Sequence, residues 1–116
     1  MLTEITKLAE SIHTTRKILR ARLEKIDESL PAIPTGVSVR ACLGDSETHG
    51  TIRLLVCNRW GLAVTHDEYG ESAWEWDDVP ARWIPEAAKA VENLLASLKT
   101  QMKAEADEET ALAGKI

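Results

Sequence analysis

Phenylalanine is absent and tyrosine occurs once, so four tryptophans carry most of the aromatic surface of these 116 residues. Cysteine is equally scarce. Cys42 and Cys57 form no CxxC pair, which argues against a disulfide framework and for buried thiols in a reducing cytoplasm. No apolar run approaches the ~20 residues of a membrane span, and no basic-then-apolar leader pattern opens the sequence. Basic residues are outnumbered, and a net charge of −5 excludes a general binder of nucleic acid or anionic membrane. Also missing are a GxSxG elbow and a glycine-rich phosphate loop. The polar stretch GDSETHG at 44–50 reads as a connector. No catalytic residues, and hence no enzyme, and no cofactor are expected.

What is present has clear periodicity. Ile5, Ile12, Leu19 and Ile26 recur every seven residues, with Leu8, Leu23 and Leu30 beside them, which predicts a helix over 3–30. Thr3 is placed to cap it and Glu4 favours its positive end; Pro31 and Pro34 stop it. At 1.5 Å per residue it is roughly 40 Å long. Period two then takes over. GVSVRACLG (36–44), TIRLLVC (51–57), WGLAVTH (60–66) and ESAWEW (71–76) predict a three- to four-stranded antiparallel meander within 36–76. The last strand would carry Trp74 and Trp76 on one face. A two-residue turn at Asn58-Arg59 would put Arg53, Leu55 and Cys57 on the face of Trp60, Leu62 and Val64, leaving both faces apolar and in need of cover.

Pro80 and Pro85 suit a first turn, so a second long helix is predicted over 80–110, within which the acidic tail, 103–116, frays. Ile84, Ala88, Val91, Leu95, Leu98 and Met102 form a heptad seam. The fold class is therefore α+β in one domain: long helix, meander, long helix. An even number of strands would return the chain to its starting edge and let the helices lie antiparallel, overhanging the sheet. Oligomers follow, with a homodimer favoured, and Ile5, Ile12, Leu19, Ile26, Val91, Leu95, Leu98 and Met102 are the expected interface.

Candidate sites rest on few residues. Cys42, His49, Cys57 and His66 have zinc-ligand chemistry, but six, seven and eight residues separate them, against the close pairs of structural zinc sites. No metal site is expected. Residues 67–78 hold six acids and no base, whereas helix 1 carries Arg16, Lys17, Arg20, Arg22 and Lys25. These are solvated faces, or an acidic patch that steers assembly or docks a basic host surface. Trp60 and Trp83 read mostly as core. Trp74 and Trp76, with Glu75, Asp77 and Asp78, read as a partner-contact patch, since tryptophan is enriched at hot spots. Arg53, Arg59 and Arg82 with Trp60 and Trp83 are candidates to stack on and hold a small nucleotide.

The run NRWGLAV, then HDEYGESAWEWDDVPARW, then IPEAAKAVENLLASL resembles small phage and prophage accessory proteins over residues 54–98. That resemblance implies no catalytic residues. It implies an accessory protein of a mobile element that acts by binding. The leading expectation is an inhibitor of a host protein with an antidefence, anti-CRISPR-like role. The alternatives are sequestration of a signal nucleotide at a subunit boundary and a purely structural self-assembly module.

Overall fold

The computed structural model describes residues 1–116. Its order is α1 (Leu2–Ser29), β1 (Ser38–Ser46), β2 (Gly50–Cys57), β3 (Gly61–His66), β4 (Ser72–Ala73), a 3-10 turn (Trp76–Asp78) and α2 (Trp83–Ala113). The α+β architecture is the one the periodicity predicts, with one antiparallel sheet in the order β1-β2-β3-β4. Helix α1 starts a residue earlier than expected, so Thr3 lies inside its first turn and makes no cap. It ends where Leu30 turns extended ahead of Pro31, as a residue before proline must.

The hairpin turn differs from the expected one, and the difference reorganises the sheet. Cys57 pairs with Gly61, so the loop holds three residues, Asn58 to Trp60, closed by Gly61 at φ +64°. Such loops end on a left-handed residue. One extra residue flips the parity: Val56 faces Leu62, Leu54 faces Val64 and Leu55 faces Ala63. Ile52, Leu54, Val56, Leu62 and Val64 now share one core with Leu23 of α1 and Ile84, Ala87, Leu94 and Leu98 of α2. Both helices therefore cover the same face. The register assigns Arg40, Cys42, Arg53, Leu55, Cys57, Ala63 and Thr65 to the other. Only Leu55 and Ala63 among the buried apolar residues lie outside the core cluster. On this outer side Arg40 pairs with Glu71 at 3.1 Å, and Arg53 lies 3.8 Å from Glu71 and 3.9 Å from Asp67.

The fourth strand is only two residues long. Trp74 adds one bond, its N–H to the Val64 carbonyl, and the chain then leaves the sheet through the 3-10 turn. It runs back to the other end, where the Trp83 ring lies against Gly44, just past a register shift in β1. This return overturns the expected antiparallel helices. Pro85 at the start of α2 lies beside Ile12–Leu19, whereas Pro34–Val37, beyond the end of α1, lie beside Met102–Glu109. The helices run in the same sense and overhang at opposite ends of a 71 × 28 × 18 Å molecule. The acidic tail expected to fray is helical to Ala113, its acidic residues solvent-exposed.

Candidate functional site

The tryptophans are not distributed as the sequence suggests. Trp83 is buried, as expected, but so is Trp76, at 8 % exposure. Trp76 lies in the 3-10 turn because two charged side chains of α1 hold it there. The Asp27 carboxylate accepts from the Leu62 backbone N–H at 2.9 Å through Oδ1 and from the Trp76 indole N–H at 3.2 Å through Oδ2. One helical residue thus satisfies a donor on the free edge of β3 and the indole together. Seven positions earlier, Arg20 donates to the carbonyls of Trp76 and Val79, the latter at 2.9 Å. Gly61 completes the fit. A Cβ there would stand 2.6 Å from Asp27 Oδ1, so the carboxylate can approach β3 only over a glycine.

Beside this anchor the β3 edge opens into a cleft of about 160 Å³. Trp60, Trp74 and Trp76 line it with Ala63, Ala73 and the carboxylates of Asp27 and Glu75. Three of the four tryptophans meet here, two of them, Trp60 and Trp74, half-buried. Glu75 is exposed at its edge, and Asp77 and Asp78 are exposed in the 3-10 turn that follows. The Arg59 guanidinium already sits 4.9 Å from the centre of the Trp60 ring. An aromatic wall with carboxylates at its edge suits a cation, because the ring face is electron-rich. No protein-family model, curated protein or solved structure matches the chain. Its chemistry therefore rests on this geometry.

The residues considered for a nucleotide fall in three places. Arg53 is engaged by acids on the outer face. Arg59 and Trp60 stack at one end of the sheet. Arg82 lies 4.5 Å from the Trp83 ring, beneath Gly44 near the other end. They do not line one pocket.

The expected interface also divides. Leu98 is buried, and Leu19, Ile26, Val91, Leu95 and Met102 pack against the same chain's core. Ile5, Leu8 and Ile12 are 54 %, 64 % and 50 % exposed. The first half of α1 projects with its apolar stripe uncovered.

Asp27 and Arg20 escaped the sequence reading because both look like solvated helix residues. A signal was available in the series Arg20, Leu23, Asp27, Leu30. These steps of three and four follow the buried face of a helix, and a polar residue on that face has a polar partner to meet.

Proposed function

We propose that the protein is a non-enzymatic binding protein whose tryptophan cleft receives a cationic side chain from a basic surface of another protein. The meeting of Trp60, Trp74 and Trp76 with the Asp27 and Glu75 carboxylates is the observation that carries this reading. Asp77 and Asp78, exposed directly after the cleft-lining segment, add to the negative charge of Glu75 and would steer a basic partner toward it. The phage-like pattern over 54–98 makes a host protein the natural partner, with inhibition the natural outcome in an antidefence role. Within the contact patch, Trp74 and the acids make the contact, while Trp76 forms the floor.

A direct test is a titration with a short arginine-containing peptide, followed by NMR on the indole N–H signals. The Trp60 and Trp74 signals are expected to shift, and to stay still with the citrulline peptide of the same shape. Trp74→Ala is expected to abolish the response while far-UV circular dichroism stays native, since Trp74 makes none of the Asp27 or Arg20 contacts. Equal shifts with both peptides would sink the cationic assignment.

The projecting half of α1 supports a second component of the reading, a homodimer. An isolated helix of this length is marginal in water, and a second copy would cover Ile5, Leu8 and Ile12 with the same heptad stripe. Light scattering is expected to report a dimer for the native chain and a monomer for Ile5→Glu with Ile12→Glu. A native monomer at high micromolar concentration would remove it.

A further inference from the structure

We infer that His49, His66 and Glu68 form a site for a divalent transition-metal ion at the hairpin end of the sheet. His66 and Glu68 are close in sequence, but His49 lies seventeen positions before His66, in the β1–β2 turn. Folding brings the β1–β2 and β3–β4 turns together: the Asp67 backbone N–H donates to the His49 carbonyl at 2.9 Å. His49 is further held by its own N–H, which donates to Ser46 Oγ at 3.2 Å. One candidate ligand atom from each of His49, His66 and Glu68 lies within 4.8 Å of the others. His49 Nδ1 and Glu68 Oε2 are already 3.2 Å apart. Metal–ligand bonds of about 2.0–2.2 Å put neighbouring ligands roughly 3–3.5 Å apart, so that pair stands at coordination spacing. Rotation of the exposed Glu68 and of the imidazoles brings in the rest.

Two further observations separate this cluster from an ordinary surface ion pair. His66 Nδ1 is buried and has no hydrogen-bond partner. A His49–Glu68 pair leaves that atom unexplained, whereas an ion or its bound water would satisfy it. The rings are also confined. Trp74 packs 4.5 Å from His66 and 5.2 Å from His49, centre to centre, and the two imidazoles are 5.7 Å apart. An orienting wall of this kind reduces the freedom lost on coordination. Two imidazoles and one carboxylate suit zinc, nickel, cobalt or iron rather than calcium or magnesium. Three protein ligands leave a position for water or for a group from a partner. Cys42 and Cys57 take no part in the cluster. Trp74 is shared with the cleft, so the ion would stiffen one cleft wall, but its binding does not depend on the cleft's partner.

The probe is the tag-free full chain titrated with Ni²⁺, which quenches a nearby indole. Saturable quenching at one ion per chain, reversed by Zn²⁺, is expected, together with a rise in melting temperature on adding Zn²⁺. His49→Gln and Glu68→Gln are only half-exposed or exposed positions, and each is expected to keep the native circular dichroism. Each is also expected to weaken Zn²⁺ binding by at least the roughly 10–100-fold that loss of an outer-shell partner brings. Trp74→Phe separates the readouts: it should remove most of the quenching and retain the Zn²⁺-dependent melting shift. Unchanged melting of the native chain with Zn²⁺, or equal affinity in His49→Gln and Glu68→Gln, would overturn the assignment.

Discussion

Asp27→Ala is expected to destabilise the fold by about 2–4 kcal/mol in urea unfolding followed by tryptophan emission. The carboxylate accepts from two donors, one on the fully buried Leu62 and one on Trp76. Hydrogen bonds to a charged group contribute about 1.5–3 kcal/mol each, and removing only the acceptor leaves the donors unsatisfied. Asp27 is itself half-buried, so water recovers part of the loss and the sum stays below twice that figure. Asp27→Asn keeps one carbonyl oxygen but turns an NH₂ group toward the other donor, and about half the cost is expected. A loss under about 1 kcal/mol for alanine would mean that water replaces the carboxylate at both donors. The Trp76 emission supplies an independent readout, since an indole released from the 3-10 turn shifts to the red.

Trp83→Ala should cost more, about 3–5 kcal/mol, the range for removing a large aromatic from a packed core. Trp83 is 3 % exposed, and its ring lies where a Cβ on Gly44 would come within 3.0 Å. The ring and the glycine fit together at the register shift in β1, which fixes where α2 begins. A domain of this size holds roughly 5–15 kcal/mol in total, so the variant is expected to lose a large share of its folded population on warming. Trp83→Phe keeps a ring in the slot and is expected to lose far less. Equal losses for the two would show that ring contact with the strand contributes little and that the effect lies in starting the helix.

The elements that carry the fold were legible because their periodicity is strong. The seven-residue recurrence from Ile5 to Ile26 and the β-branched run TIRLLVC each demand one secondary structure. What the pattern could not settle was the count of residues in a turn. Asn58, Arg59 and Trp60 all lie in the loop, and assigning Trp60 to the strand reversed every facing relation after it. Nor could periodicity place Trp76. Its alternation with Trp74 mimics a strand, whereas its actual position follows from Asp27, 49 positions earlier in the chain. The histidine cluster was illegible for the same reason. His49 and His66 meet only because two turns close at one end of the sheet, and each is unremarkable among its own neighbours.

The two helices point the same way and overhang at opposite ends, and this restricts how copies of the chain can assemble. Suppose the free half of α1 in one copy met the free end of α2 in the next, with both copies facing the same direction. The new pair would still expose one unused overhang at each end, and addition would continue as a filament. Rotating the second copy by half a turn, so that the directions oppose, lets each α1 overhang meet the other's α2 across a two-fold axis. Nothing is then left to propagate. Closure at two copies would thus be a matter of direction, set by the residues between Trp74 and Arg82 that carry the chain back along the sheet before α2 begins.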